Sequence, residues 1–99
     1  MGIFVFMNTS KVFLLLNGEP PKNLPKLSNY KVICATDGAY QFLKEKKITP
    51  HFISGDFDSL NDLPKDIEVI HTPNQDFTDF DKILQILVDK GFKNIDVFG

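Results

Sequence analysis

Val12-Phe13-Leu14-Leu15-Leu16 is an unbroken apolar run, stopped by the turn formers Asn17-Gly18-Glu19-Pro20-Pro21. A strand with one wet face alternates apolar and polar residues, whereas a continuous run is buried on both faces. Working outward, Lys31–Thr36, His51–Ser54, Ile67–His71 and Asn94–Phe98 read as four more short strands. Gly38–Lys47 reads as a short helix with Ala39, Phe42 and Leu43 on one face. Phe77–Lys90 is the strongest helical pattern: Phe80, Ile83, Leu84, Leu87 and Val88 keep the spacing of one buried face, and Gly91 supplies the stop. Strands alternating with helices require crossover connections. The expected fold is therefore α/β and Rossmann-like: a mainly parallel sheet of about five strands, with helices on both faces. Gly99 follows an apolar strand where the pattern calls for another turn and helix, so the domain is expected to be incomplete in this chain.

The charged residues are unevenly chosen. Ten Asp stand against three Glu, and all eleven basic residues are Lys. Without Arg there is no bidentate guanidinium clamp, so any phosphate must be held by a metal ion, by Lys or by backbone N–H groups. A formal charge of −2 gives no reason to expect nucleic acid or an anionic membrane as partner. The leading Ile3-Phe4-Val5-Phe6-Met7 is too short for a signal peptide and lacks a basic start, and no stretch approaches a membrane span. A single cysteine, Cys34, excludes an internal disulfide and reads as a small buried strand residue. A cytoplasmic protein is expected.

In open α/β sheets, ligands bind outside the carboxyl ends of the strands. Asp37 follows the second strand, Asp56 and Asp58 follow the third, and Asp76, Asp79 and Asp81 lie between the fourth strand and its helix. Six of the ten Asp thus fall at one edge. Crowded carboxylates repel one another, and a divalent cation is what neutralises them. In Gly55-Asp56-Phe57-Asp58-Ser59 an extended backbone points Asp56 and Asp58 to one site and Phe57 into the core. Two such oxygen ligands suit Mg²⁺, which keeps waters and phosphate oxygens in its shell; an Asx turn with Ser59 as a cap would use the same residues. Thr78 reads as the N-cap of the long helix, with Asp81 in a capping box. Asp79 suits either the helix dipole or a metal. Asp37-Gly38 and Asn17-Gly18 are turns that can face phosphate. His51 and His71 share no metal-ligand spacing and read as strand-end residues, and Lys82 reads as a solvated residue of the helix's first turn.

In order, Asn17-Gly18, Thr36-Asp37-Gly38-Ala39, Ile53-Ser54-Gly55-Asp56-Phe57-Asp58-Ser59-Leu60 and Thr72-Pro73-Asn74-Gln75-Asp76-Phe77-Thr78-Asp79-Phe80 resemble the thiamine pyrophosphokinase family. The resemblance spans about residues 11–99 and leaves 1–10 as an unassigned leader. It implies a Mg²⁺-dependent transfer of diphosphate from ATP to the hydroxyethyl oxygen of thiamine, releasing AMP. It implies that Asp56, Asp58 and Asp79 hold the metal and that, with Gln75, they form the catalytic set. Asn17, Gly18, Asp37, Gly38, Gln75 and Thr78 would contact nucleotide or substrate. ATP and thiamine are the implied partners, and the full-length form is expected to be a homodimer.

Three departures qualify the match. Asp37-Gly38-Ala39-Tyr40-Gln41 stands where the family often has D-G-G-A-N. The family's G-G-R-x-D-H segment, with its phosphate-binding Arg, would begin beyond Gly99. The C-terminal β domain that helps hold thiamine lies outside this chain, which alone is expected to bind weakly and turn over poorly. Two other readings stand beside this one: a nucleotide-sugar glycosyltransferase using a D-x-D metal site, and a non-catalytic truncated α/β domain.

Overall fold

The computed structural model describes residues 8–57, 64–72 and 77–99. Five strands form one sheet: β1 (Asn8–Leu15), β2 (Val32–Thr36), β3 (Phe52–Gly55), β4 (Glu68–His71) and β5 (Phe92–Phe98). All four pairings are parallel, in the order β4-β3-β2-β1-β5. The apolar run of β1 explains its central place: Val12, Phe13 and Leu14 are fully buried and Leu15 nearly so, because both sheet faces are covered.

Alternation along the strands sorts the core into two layers. Val12, Leu14, Cys34 and Phe52 pack on one face with Ile83 and Leu87 of α2 (Asp79–Asp89). Phe13, Leu15, Ala35 and Ile53 pack on the other with Ala39 and with Leu43 of α1 (Tyr40–Glu45). The expected helix over 38–47 begins instead as a 3₁₀ turn at Asp37–Ala39 that runs into α1. On that face Phe13 stacks on Phe98 at 4.9 Å, and the Tyr30 hydroxyl donates to Asp96 at 2.7 Å, tying the β1–β2 connection to the edge strand β5.

α2 starts as its sequence requires. The Thr78 side-chain oxygen accepts the Asp81 N–H at 3.1 Å, the N-cap bond, while the Thr78 hydroxyl donates to Asp81 Oδ2 at 2.9 Å, so that Asp81 grips the cap through its hydroxyl where a capping box would use the Thr78 backbone N–H. At the other end the Gly91 N–H donates to Val88 O. The buried face differs from the expected stripe. Ile83 and Leu87 are buried with Ile86 packed beside them, whereas Phe80 is 37% and Val88 55% exposed. The helix is rolled toward Ile86 relative to the 80/83/84/87/88 spacing, so Val88 leaves the contact and Lys82 turns inward.

His51 is a strand-end residue, as expected: its backbone N–H donates to Ile33 O and its Nδ1 accepts the Ile33 N–H at 3.0 Å. Cys34 is fully buried, and burial pushes its thiol up to about 12. Among the described residues no helix is long and apolar enough to cross a membrane.

Candidate active site

The chain runs outward from β1 to β4 and returns to the far side of β1 as β5, so the strand order reverses beside β1. Such a switch point opens a crevice at the carboxyl ends of the strands. The turns after β1 and β2 and the end of β5 meet there. The Asn17 side chain lies against Gly38, where a Cβ would come within 2.7 Å of the Asn17 amide carbon; Gly18 approaches Gly99 a little less closely, a Cβ lying 3.0 Å from its carbonyl carbon. The missing side chain at Gly38 is what lets the two turns touch.

Among the described residues Asp37 is the most enclosed acid of this edge, at 7% exposed. Its Oδ1 accepts the Gly38 N–H and its Oδ2 the Phe57 N–H, both at 2.7 Å. Burial raises its carboxyl above the usual carboxylate range; the two backbone hydrogen bonds oppose that, and the negative charges of Asp56 and Asp79 add to it. Acids thus stand at the ends of β2 and β3 and at the start of α2, all on the carboxyl edge of the sheet. Asp58, Gln75 and Asp76 lie outside the described residues. Among the described residues no group of three or more His, Cys, Asp or Glu is gathered closely enough to hold a metal ion.

Of the extended backbone expected through Gly55-Asp56-Phe57-Asp58-Ser59, the described part, residues 55–57, does not form as expected. Gly55 has φ 152°, in a region open to glycine, and Phe57 has φ 64°, left-handed for a bulky residue. The reason lies twenty positions back, where the Asp37 carboxylate draws in the Phe57 N–H. The Phe57 ring still packs on the α1-side core, as expected, and faces the His71 ring at 6.1 Å.

Thr78 stands at the edge with its hydroxyl engaged by Asp81, and Asp79 opens α2 with a half-exposed carboxylate. Lys82 is the residue that sequence reasoning missed. Its side chain is only 13% exposed; the ammonium donates to Thr72 O at 2.7 Å and pairs with Asp79 at 3.6 Å. The Asp79-to-Lys82 spacing of three was the available signal. The buried hydroxyls of Thr36, at the end of β2, and Thr72, just after β4, have no hydrogen-bond partner among the described residues. A surface cavity of about 330 Å³ lined by Val32, His51, Phe52, Glu68, Lys90 and Phe92 lies at the opposite, amino end of the strands, away from this chemistry.

The arrangement is an acidic rim at the carboxyl edge of a parallel sheet. Comparison with known proteins agrees. Residues 25–99 match the family model described as thiamin pyrophosphokinase, catalytic domain. Thiamin pyrophosphokinase 1 of Caenorhabditis elegans is 39% identical over 107 residues, covering 91% of this chain and 43% of that protein. A thiamin pyrophosphokinase family protein from Enterococcus faecalis superposes with a TM-score of 0.70 at 22% identity, over 89% of this chain and 46% of its own, and shares the fold. Thiamin pyrophosphokinase from Candida albicans superposes with a TM-score of 0.57 at 25% identity, over 94% and 39%. The chain therefore spans less than half the length of each of these relatives. With most of its length matched by the family model and a relative at this level of identity, the chain belongs to the thiamin pyrophosphokinase catalytic-domain family.

Proposed function

We propose that residues 11–99 form the ATP- and metal-binding part of a cytoplasmic enzyme that converts thiamine and ATP to thiamine diphosphate and AMP. The observation that carries the reading is the placement of the acids: Asp37 after β2, Asp56 after β3 and Asp79 at the start of α2 all stand at the carboxyl edge of the parallel sheet. Three separate segments thus carry acids to one edge of the sheet, and the family match supplies the reaction.

The donor set fits a hard cation. Asp56, Asp58 and Asp79 would hold Mg²⁺, which favours carboxylate oxygen and retains positions for water and phosphate. When bound, the ion would neutralise charge on the phosphate oxygens of ATP. The chain's own residues do the positioning. The turns at Asn17-Gly18 and Asp37-Gly38 border the crevice where the nucleotide would lie, and Gln75 and Thr78 would face the transferred group. In the reaction the thiamine hydroxyethyl oxygen attacks the β-phosphorus of ATP, the bond from that phosphorus to the α–β bridging oxygen breaks, AMP leaves, and the hydroxyl proton passes to a rim carboxylate. Nothing in the family comparison favours the nucleotide-sugar transferase alternative.

The test uses the full-length form containing this chain, which we expect to be a homodimer, incubated with ATP, thiamine and Mg²⁺ and analysed by mass spectrometry. Equal amounts of thiamine diphosphate and AMP support the reading; ADP with thiamine monophosphate, or no product, contradicts it.

A further inference from the structure

We propose that Asp37 is a positioning residue, fixing the Gly55–Phe57 turn that presents Asp56, in place of a direct contact to nucleotide or metal. The proposal rests on the reading of Asp56 as a metal ligand given above. Both carboxylate oxygens are already engaged by backbone N–H groups, Oδ1 by Gly38 and Oδ2 by Phe57, each at 2.7 Å. The residue is 7% exposed, and Gly55 lies so close over the carboxylate that a Cβ there would overlap it. A group enclosed by its own loop has little surface left for an incoming phosphate.

What the carboxylate does is visible in Phe57. Its backbone sits at φ 64°, a left-handed conformation that is sterically costly for a bulky L-residue. Such strain persists only where surrounding interactions over-determine it. The charge-assisted bond from the Phe57 N–H to Asp37 is the interaction that holds it. Asp56, one residue earlier, takes its direction from that held backbone. A strand end two elements away in the chain therefore aims the acid of the next strand.

A positioning role makes a prediction that a ligand role does not: a substitution that removes the strain at Phe57 should compensate for loss of Asp37. In the full-length enzyme, Asp37→Ala is expected to lower kcat about tenfold to a hundredfold, from loss of a charged hydrogen bond, with the KM for ATP changed less than threefold. Adding Phe57→Gly should recover at least about fivefold, because glycine takes φ 64° without cost. If Asp37→Ala does not fold, Asp37→Asn carries the test. It keeps one acceptor but turns an amide donor toward one N–H group, so hydrogen exchange at Phe57 or Gly38 should speed by at least tenfold, with kcat again falling and the KM for ATP held. Asp56→Asn serves as the control. Activity retained there overturns the metal-site reading itself. Activity lost there, with no recovery in Asp37→Ala/Phe57→Gly or with a KM for ATP raised tenfold or more on loss of Asp37, overturns the positioning role alone.

Discussion

Replacing Gly55 by alanine tests the geometry of the rim in its tightest place. The new Cβ would meet the Asp37 carboxylate oxygens at 2.5 and 2.7 Å, far inside any tolerated contact, and would do so on a backbone at φ 152°. The backbone strain for a non-glycine residue in this region is about 1–3 kcal/mol. Moving the carboxylate aside sacrifices at least one charged hydrogen bond, about 1.5–3 kcal/mol more. A total of about 3–5 kcal/mol is expected, a large part of the 5–15 kcal/mol that holds a typical domain. Urea unfolding followed by far-UV circular dichroism measures it, and the thermal midpoint should fall by more than about 12 °C. The two contributions separate in a double-mutant cycle. In an Asp37→Ala background the collision is gone, so Gly55→Ala should cost only the strain, about 2 kcal/mol less than in the parent. A Gly55→Ala protein within about 0.5 kcal/mol of its parent, or an equal cost in both backgrounds, would refute the reasoning.

Asp56→Asn and Asp58→Asn in the full-length enzyme are each expected to abolish Mg²⁺-dependent product formation while leaving the circular dichroism spectrum unchanged; near-normal turnover in either removes that residue from the metal set. Lys82→Met strips a donor from Thr72 O and the partner from Asp79, and should lower stability by about 1–2 kcal/mol and shift the Mg²⁺ concentration for half-maximal rate at least threefold. Lys82→Arg should restore part of both, and a Lys82→Met protein identical to the parent would mean the two contacts contribute nothing. Cys34, with its thiol pushed up to about 12, should react with a thiol dye at pH 8 only on unfolding. Its folded pKa lies above the unfolded one, so its contribution is intact below about pH 8.5 and declines as pH rises toward 12, by at most about 1.4 kcal/mol per unit. Cys34→Ala should flatten that alkaline slope, and an unchanged slope would contradict the assignment.

The fold was legible because its signals are local. The apolar run at Val12–Leu16 announces a central parallel strand without reference to any other residue, and Thr78 with Asp81 marks the start of α2 within four positions. The placement of Asp37, Asp56 and Asp79 at element ends was legible in the same way. What escaped the sequence depends on partners far along the chain. Lys82 is half-hidden because the sheet sets the roll of α2, which periodicity over one helix cannot resolve to a single residue. Phe57 is left-handed because a carboxylate twenty residues earlier binds its N–H, so an argument from extended alternation had no means of anticipating it.

The most direct test of the shared rim is paramagnetic broadening of amide resonances by Mn²⁺, added with ATP to the isotope-labelled protein. The account predicts that signals from Asp56, Asp58 and Asp79 broaden together at the lowest Mn²⁺ concentrations, before those of His51 and Lys90 at the amino end of the sheet. Broadening confined to the segment after β3, with Asp79 sharp, would mean that these loops hold no common ion.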